Sequence, residues 1–293
     1  MKVRSRVLAF ALAAAASLAP GVAFAACESA ATTAPANRVR ASEAVIANIL
    51  NEANAALARG EAGEACVKYR LVLGVDADNV EARLGLGEGA LAEGAADAAR
   101  AHFQTVIQNA PGVARAYQGV GLSHLISGDF AAAEAPLRRS VEMDRSLWRS
   151  WNGLGMIADS RGAWDEADIA WQAALAAAPG QANLHNNKGL SLMQRGQPAG
   201  AVEAFEAALR ADPTLTTASN NRRIALATLG MYDTALAGVS DRDLPATLNN
   251  VAVVAARRGD RAIAERLLAA AVTASPRYYE LAIRNQEAIA GIR

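Results

Sequence analysis

Asparagines at regular spacing are the most conspicuous polar side chains in this sequence. One single asparagine and three adjacent pairs follow each other: Asn152, Asn186-Asn187, Asn220-Asn221 and Asn249-Asn250. Asparagine is a mediocre helix former, so helix propensity gives no reason for this recurrence. A side-chain amide carries both donors and an acceptor, so a row of amides can bond to the main chain of an extended peptide. The spacing therefore predicts a peptide-binding row, and it equally allows amides that link neighbouring helices.

Residue types that carry catalysis or hold metals form no recognisable site. The three histidines fall at unrelated positions, and no His pair, cysteine cluster or carboxylate pair has the spacing of metal ligands. The stretch GLGEG at 85–89 superficially resembles a phosphate-binding loop, but it lies within a helical pattern rather than between a strand and a helix. We therefore expect no enzyme activity, no cofactor and no metal.

The charge balance limits the classes of partner. The chain has 29 Lys and Arg residues against 29 Asp and Glu residues, so its formal net charge is zero. Binding to a nucleic-acid backbone depends on a surplus of basic residues, which is missing here. We expect other proteins, and not nucleic acid, as partners.

A repeat of small residues explains where the asparagines lie. Glycines recur in steps of 34 residues, with a last step of 29: Gly60, Gly94, Gly128, Gly162, Gly196, Gly230 and Gly259. Each is followed after five residues by Ala and after nine by a bulky residue: Tyr69, Phe103, Leu137, Trp171, Phe205, Val239 and Leu268. Glycine suits the left-handed position that ends a helix, and the bulky residue fills the space between helices. The pattern predicts a series of helix pairs.

This pattern resembles the tetratricopeptide repeat consensus. The most complete copy contains Trp151, Leu154, Gly155, Gly162, Ala167, Trp171, Ala174 and Pro179. The resemblance implies an all-α fold, a right-handed tetratricopeptide α-solenoid of about seven helix-turn-helix repeats with a concave groove. We number the repeats 1 to 7: they span 46–79, 80–113, 114–147, 148–181, 182–215, 216–244 and 245–278, and a capping helix is expected at 279–293.

Repeat 6 departs from the pattern because it is five residues short. The loss falls between Ala235 and Gly259, around the charged stretch at 241–243. We expect a clipped second helix there, and a polar joint with weaker packing between repeats 6 and 7.

The resemblance also assigns residues to the groove. With Gly60 and its equivalents as position 15, positions 2, 5, 6, 9, 12 and 13 of each repeat face the concave side, and the asparagines occupy positions 5 and 6. In repeats 2 to 4, position 6 is Gly85, Gly119 and Gly153. These glycines predict a bare floor with room for bulky partner side chains, or closer packing of helices. Arg115 and Arg149 are expected at the rim of this half, beside apolar walls that include Leu122 and Met156.

The N-terminus is predicted to be an export signal. Residues 1–26 combine a basic start with a short apolar run, and residues 27–45 form a small, polar tether. Cleavage after Ala25 would fit the general signal peptidase. Phe24-Ala25-Ala26-Cys27 resembles a lipobox instead, which makes Cys27 a candidate for lipidation. A disulfide between Cys27 and Cys66 is the less favoured third arrangement.

The combination of export signal, tether and repeats most resembles TadD-type proteins of the Flp (Tad) pilus assembly system. That resemblance implies a periplasmic scaffold, tethered to the outer membrane if lipidated, whose partners are envelope, pilus or secretion components. An adaptor that docks cell-wall enzymes, as NlpI-like lipoproteins do, is the alternative within this class. A small-molecule-binding accessory protein that uses the tryptophans of repeat 4 is a further alternative, and it predicts a closed aromatic pocket.

Overall fold

The structure is a computed structural model, and it describes Cys27, residues 43–275, Glu280 and residues 284–285. The predicted signal peptide at 1–26 lies outside the described residues. So do most of the tether at 27–45 and most of the capping helix at 279–293.

The described part of the chain contains fourteen α-helices and no strand, so the predicted all-α repeat fold is confirmed. The helices are α1 (Glu43–Ala58), α2 (Ala62–Val75), α3 (Val80–Ala92), α4 (Ala96–Asn109), α5 (Ala114–Ile126), α6 (Phe130–Met143), α7 (Trp148–Arg161), α8 (Trp164–Ala177), α9 (Ala182–Gln194), α10 (Pro198–Ala211), α11 (Thr216–Thr228), α12 (Tyr232–Leu236), α13 (Leu244–Arg258) and α14 (Arg261–Ala274). Each odd-numbered helix is the first of a pair, and the next even-numbered helix is the second.

The chain divides into two compact bodies, which are described separately. The first body covers residues 1–102 and the second covers residues 103–293, so the division falls within α4. The candidate groove residues on α5, α7, α9, α11 and α13 all belong to the second body.

Glycine ends the odd-numbered helices because the chain must turn sharply there. Gly162 caps α7 with φ 70°, a left-handed conformation in which its N–H bonds to the carbonyls of Ala158 and Asp159. A side chain at this position would strain the backbone. This tight turn brings α8 back against α7.

Large side chains on the even-numbered helices fill the space inside each pair. Trp171 on α8 and Phe205 on α10 are almost fully buried. A Cβ at Gly155 of α7 would lie 2.7 Å from the Trp171 ring, and one at Gly189 of α9 would lie 2.5 Å from the Phe205 ring. Only glycine permits this close approach at position 8 of repeats 4 and 5.

Repeat 6 has the clipped second helix that its length predicts, since α12 has only five residues. Arg223 of α11 compensates for the missing turns by donating to the carbonyls of Ala235, at 2.6 Å, and Ala237, at 3.0 Å. Arg223 therefore satisfies acceptors that a longer helix would have bonded internally.

The joint between repeats 6 and 7 is apolar, and not polar as the sequence predicts. One continuous apolar core joins α11, α12, α13 and α14, and it includes Leu226, Tyr232, Val251 and Leu268. Because α12 is short, α13 packs directly against α11, and this contact buries apolar surface in place of the missing turns.

Candidate peptide-binding face

The predicted asparagine row lies on four successive odd-numbered helices, α7, α9, α11 and α13. Its members differ in exposure. Asn186 and Asn249 are buried, while Asn152, Asn187 and Asn221 are half-buried. Asn220 and Asn250 are exposed. We call positions 2, 5, 6, 9, 12 and 13 of α5, α7, α9, α11 and α13 the odd-helix face.

The amides bond to one another across helices. Asn187 Nδ2 donates to Asn152 Oδ1 and Asn221 Nδ2 donates to Asn186 Oδ1, both at 2.9 Å. Asn186 Nδ2 lies 3.5 Å from Asn187 Oδ1, which joins these two bonds into one chain of amides. This is the helix-linking arrangement that the sequence allowed.

Those bonds use only part of the capacity of each amide. An amide has two N–H donors and an oxygen with two lone pairs. Asn187 uses one N–H of its amide in the bond to Asn152, and one lone pair of its oxygen accepts the bond from Asn186. One N–H and one lone pair of Asn187 therefore remain for other partners. Peptide binding by the row therefore stays a prediction, compatible with the links between helices.

A second set of amides lies at the end of the repeats. Asn285 Nδ2 donates to Asn249 Oδ1 at 2.7 Å. These two residues are 36 positions apart, close to the 35 that separate the other bonded asparagines. The same type of link thus recurs after repeat 7.

An apolar row runs beside the amides. Position 9 is aliphatic or Met and half-buried on all five odd-numbered helices of the second body: Leu122, Met156, Leu190, Ile224 and Val253. The sequence pattern predicted apolar walls only in the first half, from Leu84, Leu122, Leu125 and Met156. The same spacing, followed to Val253, identifies the whole row.

The glycines at position 6 of repeats 2 to 4 form no bare floor; they have the close packing that the sequence allowed as the alternative. Gly85, Gly119 and Gly153 are all buried. A methyl group at Gly85 would overlap the Tyr69 ring, and one at Gly119 would overlap the Phe103 ring.

At Gly153 the added Cβ would lie 2.8 Å from a methyl carbon of Leu125 and equally close to one of Leu137. The space above these three glycines is therefore filled by the protein's own side chains. They are packing residues and leave no room for a partner. Arg115 is exposed and Arg149 is half-buried on the odd-helix face.

A buried polar network holds repeats 4 and 5 together. Asp159 accepts hydrogen bonds from Trp171 Nε1 at 3.1 Å and from Ser191 Oγ at 2.8 Å. The Arg195 side chain is 7% exposed, and it lies 3.5 Å from Asp159 and 2.8 Å from Asp168. Burial raises the pKa of the Asp159 carboxyl, against the hydrogen bonds that lower it.

Among the described residues, Trp151, Trp164 and Trp171 of repeat 4 do not share one closed pocket. Trp171 is buried in the network described above, and Arg195 stacks 5.2 Å above Trp164. Trp151 donates its indole N–H to the Arg145 carbonyl at 3.0 Å. It lines an open cleft of about 690 Å³ together with Val141 and three alanines of α8, and no other tryptophan lines this cleft.

In the first body, Cys27 forms a disulfide with Cys66, 39 residues away. Both side chains are fully buried. His102 Nε2 donates to the Cys27 carbonyl at 3.2 Å, and burial lowers the pKa of this histidine. A Cβ at Gly89 would overlap the Cys66 sulfur, so this glycine makes room for the bond.

The structure has the arrangement of Cys27 that the sequence favoured least, the disulfide. A thioether-linked lipid needs the Cys27 sulfur, and in this structure that sulfur is bonded to Cys66. Cys66 is therefore a disulfide partner.

The described residues offer neither a metal site nor a membrane-spanning helix. No group of three or more His, Cys, Asp and Glu side chains is placed to hold a metal ion in that part of the chain. Likewise, no helix described here has the length and apolar character that crossing a membrane requires.

Comparison with protein families gives a consistent result. Models described as tetratricopeptide repeat match residues 50–114, 121–182 and 182–215, more than half of the chain. A comparison with curated proteins finds no match.

Several solved structures are similar in fold. TTC0263, a tetratricopeptide repeat protein of Thermus thermophilus, is 17% identical with a TM-score of 0.55, covering 62% of this chain and 98% of that one. The Cut9–Hcn1 hetero-tetramer of the APC/C gives 18% identity and a TM-score of 0.64, and the match covers 84% of this chain and 51% of that one. Pseudomonas aeruginosa pilF gives 20% identity and a TM-score of 0.50, and the match covers 69% of this chain and 93% of that one.

Proposed function

Because the chain belongs to the tetratricopeptide repeat family, whose members are generally non-enzymatic scaffolds that bind other proteins, we propose that it holds an extended segment of a partner protein along the odd-helix face. The observation that carries this proposal is the chain of amides beside the apolar row. Amides fixed by their own mutual bonds are preorganised, so they lose little side-chain entropy when a peptide binds.

The dimensions of the face suit an extended peptide. Packed helices lie about 8–10 Å apart, and an extended chain advances about 3.3 Å per residue. Each repeat then spans about three residues of the ligand. One remaining amide group per repeat can bond to the ligand main chain, while the position 9 row contacts every third side chain or so.

The test replaces Asn187, Asn221 and Asn250 together by alanine. We expect loss of partner capture, measured with a photo-crosslinking residue at Leu190 in cells that make the full chain. Gln172→Ala, an exposed amide on α8, is the matched control. Unchanged crosslinking in a triple variant that stays folded at the temperature of the experiment would sink the proposal.

We also propose that the protein works in an oxidising compartment, the periplasm. The N-terminal export signal and the buried disulfide support this, because disulfides persist mainly outside the reducing cytosol. The bonded sulfur favours cleavage after Ala25 over lipidation of Cys27.

Fatty-acid labelling of cells gives the test of this proposal. No label is expected on the parent or on Cys27→Ser, and thiol alkylation is expected only after reduction. A label that depends on Cys27 would restore the lipidated alternative.

The narrower proposal is a role in assembling a Flp/Tad-type pilus or a secretion apparatus. The combination of export signal, short tether and seven repeats supports it. The likeness to pilF concerns the fold alone. Docking of cell-wall enzymes is the alternative. A strain lacking the gene would lose surface pili under the first proposal and would keep them, with altered peptidoglycan cleavage, under the second.

A further inference from the structure

The outer side of α8 carries an exposed apolar patch. Among the described residues no large apolar side chain is more exposed than Ile169, at 64%. Ala173, four residues further, and Ala176, seven further, lie on the same side of the helix. We call Asp165, Ile169, Ala173, Ala176 and Ala177 the α8 face; Ala173 is half-buried and the other four are exposed. Contiguous apolar patches on a surface typically mark a contact with another molecule.

A cleft lies directly beside the exposed isoleucine. The three alanines of the α8 face form one side of the open cleft described above. Its other sides are lined by Val141, Glu142, Arg145, Ser146 and Trp151. Because positions 173, 176 and 177 are all alanine, no long side chain of α8 fills the cleft there. The α8 face therefore combines a projecting apolar side chain with an apolar cleft about one helical turn away.

The two ends of the α8 face carry unpaired charges of opposite sign. Asp165 lies in the first turn of α8, and Arg145 lines the cleft beside the last turn. Among the described residues neither side chain makes an ion pair. The nearby carboxylates Glu142 and Glu166, by contrast, each lie 3.3 Å from an arginine of α6. One acid and one base therefore remain for a partner to pair with.

We propose that this partner is a second copy of the chain, in a twofold dimer whose two α8 helices run antiparallel. A twofold interface brings the same patch of each copy together, so a projection and a cleft on one patch fill each other. With the axis at Ala173, Ile169 lies opposite Ala177 of the second copy and enters its cleft. The odd-helix face takes no part in this contact, so the inference is independent of the proposed function.

The same arrangement brings the unpaired charges together. Asp165 lies four residues, about 6 Å, before Ile169 along α8. In the antiparallel pair it reaches past the last turn of the other α8, where Arg145 of the second copy lines the cleft. Symmetry makes this ion pair twice. Two parallel α8 helices would place the aspartates side by side and leave both arginines unpaired, so the charges favour the antiparallel pair.

The size of the contact sets the strength of the dimer. The α8 helix has 14 residues, and alanines at its centre let two such helices approach to about 8 Å between their axes. One helix packed on its copy buries less than the roughly 1,200 Å² of a stable complex. We therefore expect a weak dimer, with a dissociation constant of about 10–100 µM.

Sedimentation equilibrium of the mature chain, with its disulfide intact, tests the dimer. We expect monomer at about 1 µM and mostly dimer at about 300 µM. Ile169→Glu should raise the dissociation constant about thirtyfold or more, because it places a charge in an apolar cleft. Leu71→Glu is the matched control, since Leu71 of α2 is 59% exposed, and it should leave the dissociation constant unchanged. Circular dichroism checks that both variants are folded.

An exchange of charges tests the antiparallel arrangement. Arg145→Asp and Asp165→Arg should each weaken the dimer by about tenfold at low salt, since each replaces two attractions by two repulsions. The Arg145 carbonyl that accepts from Trp151 is part of the main chain, so the first change leaves that bond in place. The double variant restores opposite charges at both contacts. It should regain the dissociation constant of the parent within about threefold.

Three results would overturn the proposal. A chain that stays monomeric at about 300 µM would leave the α8 face to a different protein. A dimer that Leu71→Glu disrupts and Ile169→Glu does not would place the interface on α2. A double charge variant as weak as the single ones would exclude the antiparallel pair of α8 helices.

Discussion

Early and late repeats use position 6 of their first helix in different ways. In repeats 2 and 3 it is Gly85 and Gly119, covered by the Tyr69 and Phe103 rings of the preceding repeat. In repeats 5 and 6 it is Asn187 and Asn221, which bond to amides of the preceding repeat. Early repeats are therefore joined by apolar packing, later ones by polar bonds.

The direction of one large side chain explains the difference. Tyr69 and Phe103 extend forward onto the next repeat, so position 6 there must be glycine. Trp171 and Phe205 pack back against Gly155 and Gly189 of their own repeats. Position 6 of the following repeat is then left for an amide. The same sequence position thus serves packing or polar contacts according to the ring before it.

The largest change in the free energy of unfolding is expected when the disulfide is removed. This bond belongs to the early repeats alone. Replacing Cys27 and Cys66 together by alanine should cost about 2–5 kcal/mol, because the unfolded chain is no longer closed into a loop. Amides of α2 and α3 should lose protection in hydrogen exchange, while those of α9 and α11 keep theirs. Equal loss in both regions would contradict the contrast between early and late repeats.

The next largest loss of stability is expected from placing a large side chain at position 6 of an early repeat. Gly119→Leu is expected to cost about 1–3 kcal/mol, since the new side chain meets the Phe103 ring. In a Phe103→Ala background the same change should cost less, because the ring has gone, and a double-mutant cycle measures this coupling. Full additivity would mean that the ring does not dictate the glycine.

Removing an amide link should cost somewhat less. Asn221→Ala leaves the oxygen of buried Asn186 without its donor, and this should cost about 1–2 kcal/mol in denaturant unfolding. Asn220→Ala, at the exposed neighbour, is the control and should stay within about 0.5 kcal/mol of the parent. A similar loss of stability in both variants would contradict a structural role for the chain of amides.

The smallest effect concerns pH and the early repeats. Burial lowers the pKa of His102 in the folded chain. Below the ordinary value near pH 6.5, the unfolded chain binds a proton that the folded chain does not, so stability falls as the pH falls. We expect a loss of up to about 1 kcal/mol between about pH 7.5 and 5.5, seen in exchange of α3 amides. His102→Gln should remove this dependence; if it persists, another group is responsible.

The sequence contained enough to predict the helix pairs, because each depends on local signals. A glycine such as Gly162 ends one helix, and a bulky residue such as Trp171 marks the next. It also indicated the clipped helix of repeat 6, since a missing segment of five residues has to shorten some element.

The features that were missed depend on long-range geometry. Whether the bulky residue four positions after Ala65 or Ala167 points forward or back is decided by the packing of two repeats, so the glycine floor was misassigned. The disulfide depends on bringing Cys27 beside Cys66 and Gly89. The firm core around Val251 follows from the direct approach of α13 to α11, which a count of polar residues at 241–243 does not reveal.

The chain of amides in repeats 4 to 6 has a polarity. From Asn221 through Asn186 and Asn187 to Asn152, each nitrogen donates to the oxygen of the next amide. At one end no described residue donates to the Asn221 oxygen; at the other, the Asn152 nitrogen reaches only the Met156 sulfur, at 3.7 Å. The row therefore ends in an acceptor near repeat 6 and in a weakly used donor near repeat 4. A bound main chain would therefore meet an acceptor for its N–H groups at the first end and a donor for its carbonyls at the second.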